Sequence, residues 1–168
     1  PGEVREPERV LPELAHPLEP SGPLVSPGVY RLTLAADGHR STATLRVEGD
    51  PETPMTDDAW HRREAFLVDL LALQRRSFEA ARRARARADS LEEAADVDGE
   101  RREASRALAR RLEALRGQLY ALAGAFNRSG VTQGSIRPPT ATHRTVKSRL
   151  ADRLERSVDE LEAAAGGG

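Results

Sequence analysis

The chain has 168 residues, with 26 basic and 27 acidic side chains and a formal net charge of −1. That balance gives no global pull toward nucleic acid or an anionic membrane. The absence of cysteine excludes disulfides, thiol nucleophiles and thiolate metal sites, and no run approaches the ~20 apolar residues needed to cross a bilayer. With one Trp, two Tyr and three Phe, a core has to be built from Leu, Val and Ala, which suits helix packing better than a compact globule.

Residues 1–28 carry proline at 1, 7, 12, 17, 20, 23 and 27. That spacing forbids a regular helix or a central strand, so the segment reads as a linker or an edge segment. The opening Pro1-Gly2-Glu3-Val4-Arg5-Glu6-Pro7 is not a signal peptide, and for an exported parent the signal is expected upstream. Charge also divides the chain. Residues 1–58 hold 5 Arg and 11 acidic groups, net −6, and residues 59–168 hold 21 basic and 16 acidic groups, net +5.

Residues 29–50 read as a β-hairpin. Tyr30, Leu32 and Leu34 alternate with Arg31, Thr33 and Ala35, Asp37-Gly38 supplies a type I′ turn, and Ala43, Leu45 and Val47 alternate again. A two-residue loop pairs Leu34 with Ser41, Leu32 with Ala43 and Tyr30 with Leu45, placing both apolar sets on one face. Since a solitary hairpin is marginal in water, that face is expected to meet further sandwich strands or the following helices.

A three-helix bundle is expected over residues 56–165. Thr56 is the N-cap of a first helix that carries Asp57 and Asp58 in its first turn and meets no Gly or Pro until Gly99. Its expected buried stripe is Trp60, Leu67, Leu70, Leu71, Phe78, Ala81, Ala84, Ala88 and Leu91. Asp98-Gly99 opens a second helix through Ala104, Leu108, Leu112, Leu115, Leu119, Leu122 and Phe126, with Gly130 as its C-cap. A short turn makes the pair antiparallel, returning Phe126 to the level of Asp69 and setting Ala81, Ala84 and Ala88 against Ala104 and Ala107. Thr140 or Thr142 caps a third helix through Val146, Leu150, Leu154, Val158 and Leu161, packed at the aromatic end, and the Ala-Ala-Ala-Gly-Gly-Gly ending is expected to fray.

Catalytic equipment is hard to find. His16, His39, His61 and His143 are never three or four residues apart, so no helical metal pair forms. The neighbours Asp57-Asp58 and Glu92-Glu93 point apart on a helix and read as capping or solvated groups rather than a general acid/base pair. No nucleophile elbow, phosphate loop or dinucleotide fingerprint is present. No catalytic residue, cofactor or metal is therefore expected, and the chain reads as a non-enzyme. The candidate binding patch is Arg75, Arg76, Arg82, Arg83, Arg85 and Arg87. Glu79, spaced to pair with Arg83, and the lack of an interleaved aromatic favour a solvated face, so nucleic acid is not the expected partner.

The order of elements resembles a known family. Gly22-Pro23-Leu24-Val25-Ser26-Pro27-Gly28-Val29-Tyr30-Arg31-Leu32-Thr33-Leu34, the Asp37-Gly38 turn, Leu45-Arg46-Val47, Asp50-Pro51 and then long helices are similar to the C-terminal region of bacterial sortilin-like β-propeller proteins. Those proteins are often labelled glycosyl hydrolases for their sialidase-type repeats. The likeness covers about residues 22–163. Glu52 stands where that family commonly has a basic residue, and the propeller repeats are absent from this sequence. The resemblance implies that residues 29–50 end an immunoglobulin-like sandwich, that an upstream propeller of the same polypeptide is the partner, and that the location is secreted or periplasmic. The expectation is thus a mainly α fold, a long antiparallel helical hairpin plus third helix behind an N-terminal β-hairpin, acting as a non-catalytic C-terminal module. The alternatives are a self-associating coiled-coil or partner-binding module and, third, part of a glycan-acting hydrolase.

Overall fold

The computed structural model describes residues 23, 25–126 and 134–166. Most of the proline-rich segment, Gly130 with the loop around it, and the final Gly167-Gly168 therefore lie outside the described residues. The chain forms β1 (Gly28–Ala36), β2 (His39–Val47), α1 (Asp57–Glu93), α2 (Gly99–Gly124) and α3 (Ala141–Gly166). It is a mainly helical molecule with a two-stranded antiparallel hairpin ahead of three helices.

The hairpin register is the expected one, with Leu34 opposite Ser41, Leu32 opposite Ala43 and Tyr30 opposite Leu45. Asp37 and Gly38 take φ of 49° and 77°, the left-handed pair that a type I′ turn requires. No helix covers the apolar face, and Leu32, Leu34 and Leu45 are 50%, 69% and 46% exposed. Only the base of the hairpin meets the helices. There Gly49 passes so close to the Trp60 ring that a Cβ would lie 3.3 Å from Pro27 Cγ and 3.6 Å from Trp60 Cζ2. The Tyr30 hydroxyl donates to the Ser26 carbonyl at 2.6 Å, fixing the entry to β1.

Thr56 caps α1 by accepting from the Ala59 amide, and Asp98 caps α2 by accepting from the Glu100 amide. At α3 the cap is reciprocal: Thr140 Oγ1 accepts from the His143 amide and the Thr140 amide donates to His143 Nδ1. α1 stops at Glu93, with Ala94 already extended, earlier than the absence of glycine suggested. α3 continues through the alanines to Gly166.

Chain direction can be read from the side-chain pairs. Lys147 to Asp69, Arg76 to Glu155 and Arg87 to Ala164 span nearly constant separations of 78, 79 and 77 residues, as parallel helices require. Arg153 to Gln118 and Arg111 to Glu160 span 35 and 49, the changing separation of antiparallel ones. α3 therefore lies parallel to α1 and antiparallel to α2. It reaches as far as Arg87, well beyond the aromatic end to which the sequence reading confined it.

The core is a heptad seam. On α1 the buried positions Arg63, Leu67, Leu70, Gln74, Ser77, Ala81, Ala84 and Ala88 alternate steps of four and three, with Phe66 and Ala80 beside them. On α2 Ser105, Leu108, Leu112, Leu115, Leu119 and Leu122 do the same, and α3 adds Leu150, Leu154, Val158 and Leu161. Several expected positions move. Trp60, Leu71, Phe78 and Leu91 are only partly buried, and Val146 is 37% exposed. Ala104 and Ala107 face water; Ser105 and Leu108 occupy the inner positions intended for them.

Candidate functional site

The six arginines proposed as a patch do not share a face. At 100° per residue Arg85 and Arg87 point about 160° apart. Arg85 pairs with Asp89 at 3.1 Å and Arg82 with Glu79 at 2.8 Å, so Glu79 serves Arg82 rather than Arg83. Arg76 reaches across to Glu155 at 3.4 Å, and Arg87 donates to the Ala164 carbonyl. Arg75 and Arg83 are exposed and make no ion pair among the described residues. What remains is a helix belt neutralised locally, with two solvated cations.

The arginines that organise the molecule are others. No helix carries a basic residue in its last turn, so none supplies its own cation for the carbonyls left open there. A neighbouring helix supplies it each time. Arg102 of α2 donates to Leu91 and Ala94 carbonyls at 2.9 and 2.5 Å, closing α1. Arg87 of α1 serves Ala164 near the end of α3. Arg63 of α1 donates to Phe126, just past α2, at 3.2 Å and to Ser135 at 3.3 Å.

Arg63 is the most unusual of these groups. It is 1% exposed and has no carboxylate within ion-pair distance among the described residues. Its Nε is buried without a partner among the described residues, and burial lowers its pKa. Beside it Phe66 and Phe126 meet at 5.4 Å, Phe126 meets His143 edge-on at 4.9 Å, and Lys147 sits 4.9 Å over Phe66 while pairing with Asp69. His143 is thus a packing and capping residue and not a bare surface group. A cleft of about 150 Å³ lies where the hairpin base meets Arg63, lined by Pro27, Glu48, Gly49, Asp50, Trp60 and Ile136.

A larger groove of about 690 Å³ opens between α1 and α2. Ala81, Ala88, Ala109 and Ala114 line it, and Arg85, Asp89, Glu92, Arg106 and Glu113 edge it. It exists because alanine fills little of the space between the helices. Arg106 pairs with Glu92 and Arg110 with Glu103. Arg116, whose guanidinium lies 5.6 Å over the Tyr120 ring, hydrogen-bonds Glu113 and holds its carboxyl below the ordinary carboxylate value.

Among the described residues no cluster of three metal-ligating side chains occurs, and no helix is long and apolar enough to cross a membrane. Sequence reasoning missed Arg63, Arg102, Gln74 and Ser77. The signal for three of them was the unbroken four-three register through Leu67, Leu70, Ala81 and Ala84, which passes over Arg63, Gln74 and Ser77. No family model matches the chain, and neither a curated protein nor a solved structure is found similar to it.

Proposed function

We propose that this chain is a non-catalytic C-terminal structural and interaction module of a larger protein, in which the hairpin completes an immunoglobulin-like sandwich beside a secreted sortilin-like propeller. The observation that carries the reading is the uncovered apolar face of Leu32, Leu34 and Leu45 on a sheet that has two strands among the described residues. Two strands alone are marginally stable in water, and a third strand or an apolar cover is what stabilises such a unit. The helices behind it already enclose their own core and leave that face to something else. The propeller context rests on the sequence resemblance alone.

The test compares the full-length parent with the isolated 168-residue chain. Amide exchange in β1 and β2 should slow at least about tenfold in the parent, since covering the face is worth more than ~1.4 kcal/mol. The coding sequence upstream of Pro1 should specify sandwich strands and a propeller. Equal exchange in both proteins removes the reading.

A self-associating or partner-binding module is the second reading, favoured by the alanine-lined groove between α1 and α2. Sedimentation equilibrium decides it: a monomer throughout the micromolar range leaves it without support.

A further inference from the structure

A guanidinium that is 1% exposed has lost most of its hydration, and such a charge persists when paired or fully hydrogen-bonded. Among the described residues Arg63 has two carbonyl acceptors, both on one terminal nitrogen, and its Nε has none. The cleft it lines also carries two carboxylates, Glu48 and Asp50. Asp50 is engaged, because its Oδ1 accepts from the Glu52 amide at 2.9 Å and its carbonyl accepts from the Thr53 amide at 3.2 Å. Glu48 is exposed and makes no hydrogen bond or ion pair among the described residues. It stands immediately after Val47, the last residue of β2, on the segment that joins the hairpin to α1. An anion from solution would meet two negative charges at this cleft, so the occupant favoured for the free Nε–H belongs to the chain itself.

We infer that Glu48 is the counter-ion of Arg63 in a latched state of the molecule: its carboxylate turns into the cleft, accepts from Arg63 Nε and clamps the base of the hairpin over Trp60. In the unlatched state seen here Gly49 lies close to both Pro27 and the Trp60 ring at the hairpin base. The latch sets the angle at which the hairpin face is presented. It does not depend on what covers that face and stands apart from the function proposed above.

Trp60 is the single tryptophan and lines the cleft, so it reports closure directly. The experiment measures acrylamide quenching of Trp60 fluorescence in the whole chain and in the variants Glu48→Gln and Asp50→Asn. Asn keeps the side-chain acceptor of the turn at 50, which makes that variant the control. Removing the carboxylate takes away the charged partner of a buried guanidinium and depletes the latched state. Glu48→Gln should therefore raise the quenching constant measurably, Asp50→Asn should leave it unchanged, and Glu48→Gln should have no further effect in an Arg63→Met background. Quenching in Glu48→Gln equal to wild type, or an equal rise in Asp50→Asn, overturns the latch. Both single variants retain Arg63, so the result does not depend on whether Arg63→Met folds.

Discussion

Leu112 and Leu154 are fully buried, from α2 and α3 respectively. Truncating either to alanine removes apolar area and leaves a cavity that two long helices cannot close. Leu112→Ala should cost about 2–5 kcal/mol, visible as a lower urea midpoint at unchanged m-value. Glu113 gives a weaker, pH-dependent signal. Arg116 depresses its pKa from the ordinary 4.5, so its contribution is present above that value and lost as pH falls through the lower folded-state value. Because the Glu113 side chain is 57% exposed, the loss is small. In chemical denaturation between pH 5 and pH 2, Glu113→Gln should flatten the acid decline slightly without changing its midpoint by more than a few tenths of a unit. Arg63 behaves differently. Its lowered pKa records the cost of burying a cation; a guanidinium stays charged across the working pH range, so it introduces no titration there.

At the scale of elements, caps and seams decide the helices. Asp98 closes the first turn of α2 and stands at the α1–α2 turn, so Asp98→Ala should cost about 0.5–2 kcal/mol in thermal unfolding. A Ser replacement should restore most of it, which a purely steric role of Asp98 would not allow. The alanine half of α1 makes the opposite prediction. Ala84 is 2% exposed against its neighbours, and Ala84→Leu should overpack the seam and destabilise by about 1–3 kcal/mol, although leucine is itself a good helix former. The elements were readable for local reasons: the Asp37-Gly38 turn with flanking alternation, the caps at Thr56, Asp98 and Thr140 or Thr142, and the leucine series of α2. The α1 stripe was read less well. Its register runs through Arg63, Gln74 and Ser77, and a search for apolar residues drifts instead toward Trp60, Leu71 and Phe78 at the edge of the seam.

For the whole molecule, a 37-residue helix is about 55 Å long, and partners of 26 residues cover most of it. Small-angle scattering should show an elongated particle, and circular dichroism a mainly helical one; a compact β-rich profile would contradict the fold. The interhelical ion pairs are exposed, Arg76 with Glu155 among them, and each is worth about 0–1 kcal/mol. Raising salt from 0.05 to 0.5 M should therefore lower Tm by only a few degrees. With Arg76, Arg82 and Arg85 paired to carboxylates and the six arginines spread around the helix, titration with duplex DNA at low salt should give no salt-sensitive binding. A steep salt slope would instead assign phosphate contacts to Arg75 and Arg83.

Local chemistry determined the hairpin register, the helix starts and the three-helix count, because turn geometry, capping and side-chain period act within a few residues of sequence. Tertiary structure decided the exact inward register of α1, how far α3 runs along α1, and which arginine closes which helix end. Those outcomes depend on competition among side chains far apart in sequence: Arg63 is buried because Phe126 and Ser135 offer it carbonyls, and nothing near position 63 announces that they will.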